Sequence, residues 1–380
     1  MSVVAPAVAN VLVVGGGIGG LSSAIALRAR GADVDLVELN PKWDVYGVGI
    51  IQPGNAIRAL DQLGLADQAI AAGFAMDGDR FHLADGTVVA DNEHPRVLGP
   101  DYPGLNGITR PRLHELLTGA VKDSGTNVAL GVTVARIESG PDGVEVELTD
   151  GRRGRYDLLV GADGIHSLIR TLVFPDAPEP EPTGQVVWRY NLPRPPEVDK
   201  LWMFSGADGK AGLVPLADEL MYLLLIETPP AGVPLRPDPA ELAPLLRERL
   251  SEFGGIIAEQ RELITDSDKV VYRPVETVWV QPPWARDRVV LIGDAAHATS
   301  PHVGQGAAMA MEDALVLAEE VRSEQPPARA LERFGERRYE RVATICEIST
   351  QIGRWEIDRV ADADFVGLTI KSVLTTAAPI

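Results

Sequence analysis

Three observations predict a mixed α/β and α+β protein: a parallel-sheet domain built from discontinuous segments, a β-sheet domain set into it, and helices at the C-terminal end. The chain opens on a short β-branched run, residues 10–14, followed by glycines and then by Leu21, Ile25, Ala26 and Leu27 at helical spacing. From about Gly184 to Val278 the pattern changes to short apolar runs of strand character. From Gly304 onward the spacing is helical almost throughout. These shifts place residues 1–75, 104–180 and 280–325 in the first domain, 76–103 and 181–279 in the sheet domain, and 326–380 in a helical segment.

A second apolar run, 34–37, ends in Glu38 and closes a βαβ unit of Rossmann-like character around Gly15-x-Gly17-x-x-Gly20. The three glycines differ in what they permit. Gly15 allows the tight turn, Gly17 lets backbone approach a pyrophosphate, and Gly20 packs helix against strand. Amides at the helix start, around Ile18 and Gly19, face the anion, and Glu38 is placed to accept hydrogen bonds from ribose hydroxyls. The fingerprint by itself does not separate FAD from NAD. Residues 81–89 read as a hairpin around Asp85-Gly86, an element inserted into the α/β alternation. A helix over 110–121 and strands at 127–130, 144–148 and 156–160 return to the first domain. The sheet domain carries strands at 185–190, 201–204, 212–216 and 221–226 and an amphipathic helix over 239–250. A last buried strand at 288–292 precedes a long helix from Gly304 through Val321 and another over 330–352.

Composition narrows the function classes. Against 35 basic residues stand 54 acidic ones, a net charge of −19, which repels nucleic acid and anionic membrane surfaces. One cysteine, Cys346, cannot close an intramolecular disulfide, and a reducing cytoplasm fits that usage. The apolar run 3–14 lacks a basic leader and passes straight into glycines, so it reads as a strand rather than a signal peptide. No apolar stretch reaches the roughly 18 residues of a spanning helix. The expected protein is soluble, cytoplasmic, and a monomer or homodimer. No GxSxG, HExxH or cysteine–histidine cluster stands out, and His297 and His302 are poor metal ligands, so no metal is expected.

Two further segments carry a family resemblance. Residues 157–170, DLLVGADGIHSLIR, and 288–315, RVVLIGDAAHATSPHVGQGAAMAMEDAL, resemble the internal signatures of the para-hydroxybenzoate hydroxylase family, the group A flavoprotein monooxygenases. The resemblance implies FAD as cofactor and NADH or NADPH as electron donor. It also implies that O2 adds at flavin C4a and that the resulting hydroperoxide attacks a small aromatic or heteroaromatic ring. In that family Asp294 would bond the ribityl or pyrophosphate side. Amides from Gly304, Gln305, Gly306 and Ala307, opening a long helix, would stabilise charge at the N1–C2=O edge of the reduced flavin. Arg110 matches the arginine beside the flavin, and Val134 falls among the cofactor contacts. Val48 and Gly49 belong to the loop at the isoalloxazine, although Asp44 stands where the family often has a basic residue. Asp163 fits a cofactor loop and fits a helix N-cap equally well.

For catalysis, Trp188-Arg189-Tyr190 resembles a pair in salicylate- and urate-type relatives, which nominates Arg189 for polarising substrate or flavin. Pro301 matches the proline near the reacting edge, and His302, titrating near neutrality, is the acid/base candidate. Tyr190, Trp202, Phe204, Leu213 and Pro215 would line an aromatic substrate pocket, though alternating apolar strand residues also suit plain core. The same scaffold hosts Baeyer–Villiger and drug-inactivating oxygenases, flavin reductases, halogenases and, as a non-enzymatic alternative, flavin-binding scaffolds. The halogenase W-x-W-x-I-P stretch is absent. With one complete glycine fingerprint, no separate nicotinamide domain is expected.

Overall fold

A computed structural model describes residues 8–45, 47–230, 236–322 and 325–380. Residues 3–7 of the opening apolar run lie outside the described residues; the strand itself is Asn10–Val14.

Among the described residues the strands form four sheets. The first runs Ala285–Arg286, Val289–Leu291, Leu158–Gly161, Asn10–Val14, Asp33–Glu38, Asn127–Leu130, parallel apart from its first strand. Helices cover it, so its central strands are apolar on both faces, and all of Leu158–Gly161 is buried. The strand expected over 156–160 is in fact split. Arg153–Tyr156 ends a separate three-stranded meander, and Asp157 between the two accepts the amides of Ala9 at 2.8 Å and Asn10 at 2.9 Å. The Ile18–Ala29 helix packs on Gly306–Val321, and a Cβ on Gly19 would stand 3.3 Å from the Ala310 Cβ.

The largest sheet orders Val271–Thr277, Glu181–Pro193, Leu220–Glu227, Gly209–Ala217, Leu201–Ser205, Gly78–Leu83, Val88–Glu93. The early hairpin thus forms its edge, parallel to Leu201–Ser205. Side chains alternate between the faces. Trp188, Tyr190, Trp202, Phe204, Leu213 and Leu223 pack with Leu246, Phe253 and Ile257 of the helical segments beyond. Val187, Val214, Leu216, Tyr222 and Leu224, with Leu201 and Met203, join Val48 and Ile51 on the opposite face. This second face closes onto the first body.

The two bodies also meet through a short sheet, Gly49–Pro53, Leu105–Thr109 and Phe74–Met76. The predicted 239–250 helix is α-helical only over Leu242–Arg249, with 3-10 turns on either side. The long C-terminal helix is Pro327–Ile357. A further helix, Phe365–Ala377, lies within the expected helical segment but beyond the one helix delimited there; it buries Ser372 and Thr376 while exposing Val366, Ile370 and Leu374, the inverse of the usual amphipathic signal. Its end is held by Arg341, which donates to the carbonyls of Thr376, Ala378 and Pro379. Among the described residues no helix is long and apolar enough to cross a membrane.

Candidate functional site

The glycine loop separates packing from binding. Gly15 has φ +108°, and a Cβ there would lie 2.3 Å from the Ala162 carbonyl oxygen. A Cβ on Gly20 would lie 1.9 Å from the Gly15 oxygen, so neither position tolerates a side chain. Gly17 has nothing within 4 Å of its Cβ position, although it caps a helix without any side-chain hydrogen bond. Space and unpaired amides at one point fit a pyrophosphate. Glu38 sits on the loop, its Oε2 accepting from the Gly16 amide and its Oε1 from the Asn40 amide, both at 2.6 Å. Asp44, in place of the expected basic residue, is engaged locally, accepting from Asn40 Nδ2 at 2.7 Å.

A second loop comes from the far end of the chain. Gly293, with φ +54°, donates its amide to Asp313 Oδ2 at 2.8 Å. Asp313 also accepts from His297 Nε2 and Arg338 Nε, each at 2.7 Å, and Arg338 Nη1 donates to Glu312 Oε2 at 2.8 Å. Burial alone would push the Asp313 carboxyl up, but His297, Arg338 and the Gly293 amide hold it far below the usual range. This buried cluster fixes the loop that presents Asp294. The Asp294 carboxylate is open to solvent and has no protein hydrogen bond or ion pair among the described residues, yet it is surrounded deeply enough for burial to raise its pKa against His297 and Arg110. Both properties belong to a group at the floor of a crevice.

Opposite it, the helix begins at Gly306, later than expected. Gly304 has φ +65° and ends the Pro301–Val303 turn, a left-handed conformation that no α-helix contains. Gln305 caps without a side-chain hydrogen bond, its Oε1 instead accepting from Asn55 at 3.0 Å. The first-turn amides of Gly306, Ala307 and Ala308 therefore have no acceptor within the helix. Gly306 borders Asp294, whose Oδ1 lies 3.9 Å from its Cβ position.

Two arginines face the same space. Arg110 opens the Arg110–Asp123 helix, and its aliphatic part lies against Gly47. Its neighbour Arg112 pairs with Glu115, whereas Arg110 makes no salt bridge among the described residues and its charge acts on Asp294 across the space. Arg189 lies on the sheet face turned toward Val48 and, among the described residues, has no partner either; burial, together with the Arg110 charge, lowers its pKa, opposed by Tyr222. It nonetheless stays protonated, because an arginine guanidinium does not give up its proton in proteins. A half-buried cation without a counter-ion is costly, which favours an anionic or strongly polar ligand beside it. Arg170, from the first internal signature, donates to Ala295 O at 3.1 Å and ties the two loops together.

Several expected site residues lie elsewhere. Tyr190, Trp202, Phe204 and Leu213 belong to the opposite sheet face, packed on the Leu242–Arg249 side, because neighbours of Arg189 and Met203 along a strand must point away from them. Pro215 is buried at a sheet bulge, its carbonyl oxygen 1.9 Å from the Cβ position of Gly107, so its backbone abuts the short sheet. His302 is not free for acid/base work: its side chain has 0% exposure, with Nδ1 2.8 Å from Ser300 Oγ and Nε2 3.0 Å from Glu356 Oε2. Asp163 is engaged in capping, accepting from Ser167 Oγ and the Ile169 amide. Val134 is fully buried, which leaves only its backbone to meet a ligand. The residues that take over the crevice wall, Leu201, Met203, Tyr222 and Leu224, carried a usable signal in their strand parity relative to Arg189.

Open space over Gly17, Asp294 at the crevice floor, helix amides at Gly306 and two arginines, none of these side chains in a salt bridge among the described residues, fit a bound FAD. Residues 8–349 match the sequence family described as FAD binding domain. The chain is also 33% identical to a putative FAD-dependent monooxygenase, YetM, of Bacillus subtilis, over 91% of this chain and 93% of that protein. The chain belongs to the FAD-dependent monooxygenase family. A second relative of this monooxygenase is the 2-heptyl-3-hydroxy-4(1H)-quinolone synthase of Pseudomonas aeruginosa, 32% identical over 91% of this chain and 90% of that one. The solved structure of Klebsiella pneumoniae HpxO complexed with FAD and uric acid matches with a TM-score of 0.81 at 26% identity, covering 97% of this chain and 92% of that one. The protein is thus an FAD-dependent oxidoreductase of the monooxygenase type, on the fold its sequence predicts.

Proposed function

We propose that this monooxygenase inserts one oxygen atom of O2 into a ring bearing an ionisable hydroxyl or enol and an apolar remainder, using NADH or NADPH. The observation that carries this reading is Arg189, a cation with no salt bridge among the described residues, on a crevice wall that includes Leu201, Met203 and Leu224 beside the Tyr222 phenol. Bound FAD supplies the redox and oxygen chemistry. The chain's own residues bind, orient and exclude water. Gly15, Gly17, Ile18, Gly19, Gly20 and Glu38 take the adenosine diphosphate half. Asp294, Arg110, Val48, Gly49 and the Gly304–Ala307 turn take the flavin half, with helix amides facing the ring edge that becomes negative on reduction. Arg189 favours the deprotonated oxygen of the substrate, which raises electron density in the ring, while the aliphatic wall accepts the rest of the molecule. Arg189 set beside an aliphatic wall suits an apolar-substituted heteroaromatic such as the quinolone named for the Pseudomonas relative better than a polyhydroxylated one.

The test is a screen of 2-alkyl-4-quinolones, hydroxybenzoates, pyridines and purines with the FAD-loaded protein, scored by donor consumption and product mass. Substrate-stimulated oxidation of NADH or NADPH with a product heavier by one oxygen atom, strongest for an apolar-substituted ring, supports the reading. Equal or better turnover of purines and dicarboxylated rings would overturn it.

A further inference from the structure

Glu356, in the last turn of the Pro327–Ile357 helix, is a half-buried carboxylate that cofactor binding does not use. Its Oε1 accepts from Lys210 Nζ at 2.6 Å, and its Oε2 accepts from Gln185 Nε2 and lies against His302 Nε2, both at 3.0 Å. These partners come from three distant places. Lys210 and Gln185 have the strand parity of Val214 and Arg189, so they lie on the crevice face of the large sheet. His302 belongs to the Pro301–Val303 turn, directly before Gly304 and the free amides of Gly306. Two turns earlier on the helix, Ser349 Oγ donates to Ser300 O at 2.8 Å and receives a hydrogen bond from Ser300 Oγ at 3.1 Å. The helix approaches closely enough that a Cβ on Gly353 would stand 3.0 Å from both Gln185 Oε1 and His302 Cε1.

We propose that Glu356 is a positioning residue, a charged clasp that holds the substrate sheet against the Pro301 turn and keeps water from the reacting side of the flavin. The inference rests on the flavin placement proposed above. Without the clasp, Lys210 and Gln185 on one wall and His302 on the other lose the carboxylate they share, and the turn bearing His302 runs through Gly304 into the helix start at Gly306. Water exclusion is what lets activated oxygen reach a substrate instead of leaving as peroxide. Burial would push the Glu356 carboxyl up, but Lys210 and the His302 hydrogen bond hold it at about 2, so the clasp stays charged at neutral pH.

Two variants of the FAD-loaded protein test this: Glu356→Gln, which keeps an amide for hydrogen bonding but loses the ion pair, and the double replacement Lys210→Met with Glu356→Leu, which removes both charges without stranding either. Flavin fluorescence is quenched with acrylamide, and the dithionite-reduced protein is mixed with O2 while flavin reoxidation and peroxide release are followed. With FAD content unchanged, acrylamide access should rise in both variants. Peroxide-yielding reoxidation should quicken about tenfold, within the ~10²-fold that a misplacement of ~1 Å can cost. Parent-like quenching and reoxidation in a variant with full FAD would overturn the clasp. If the parent's own flavin were as accessible as free FAD, the underlying flavin placement would fail first, and the clasp with it.

Discussion

Replacing Arg338 with methionine should separate the buried charge cluster from ordinary packing. The Arg338 side chain is 1% exposed and its carboxylate partners Glu312 and Asp313 are 0% exposed. Breaking a buried pair by removing one member costs ~3–5 kcal/mol, because an uncompensated charge is left behind. Here both acids keep other partners: Glu312 retains Arg341 at 3.3 Å and Arg58 at 3.4 Å, and Asp313 retains His297 at 2.7 Å and the Gly293 amide at 2.8 Å. The loss should therefore fall at the lower end, about 3 kcal/mol, in urea unfolding followed by tryptophan fluorescence. Since Asp313 anchors the loop bearing Asp294, FAD affinity of the refolded apoprotein should also weaken, by about tenfold for each ~1.4 kcal/mol of loop misplacement. Arg338→Lys, which keeps the charge but not the fork that spans two carboxylates, should lie between. A loss below ~1 kcal/mol, the range of surface ion pairs, with unchanged FAD affinity would rule out this role for the cluster.

Other expectations follow from single sites. Gly17→Ala should leave apoprotein stability within ~0.5 kcal/mol, since its Cβ meets open space, yet weaken FAD binding in calorimetry, whereas Gly15→Ala, at φ +108°, should lower stability as well. Arg189→Gln should retain FAD while substrate-stimulated donor oxidation falls about 10²-fold; Trp202→Phe, on the other sheet face, should leave the KM for substrate unchanged in the same assay. Glu356, with a folded pKa of about 2, contributes stability that is fully present above its ordinary value of 4.5 and is lost as pH falls through about 2. His302, whose pKa burial lowers, adds an earlier loss as pH drops below its ordinary 6.5, because the unfolded chain takes up that proton first. Acid unfolding of Glu356→Gln should lack the lower-pH part of this loss, and a curve superimposable on the parent's would argue against the assigned interaction.

How much of this was legible depended on whether a signal was local. The glycine fingerprint, Glu38 and the strand over Asn10–Val14 are fixed by residues close in sequence, and the structure repeats them almost without change. The long late helix was visible too, but its start was not, because the left-handed turn at Gly304 follows from the Pro301–Val303 turn rather than from helical spacing. Gly49–Pro53 and Leu105–Thr109 went unread because short strands gain their identity from a partner over fifty residues away. The aromatic pocket failed on a rule the sequence did contain: Tyr190 and Arg189 are adjacent on one strand and cannot share a face. His302 looked like a free acid or base because its partner, Glu356, lies 54 residues on.

The placement of the flavin against the Gly306 helix underlies the proposed chemistry, and a crystal structure of the FAD-loaded protein decides it. The N1–C2=O edge of the isoalloxazine should lie within hydrogen-bonding distance of the Gly306 and Ala307 amides, with Arg189 across the crevice. An isoalloxazine turned away from that helix terminus, toward bulk solvent or the Trp202 side of the sheet, would show the placement to be wrong.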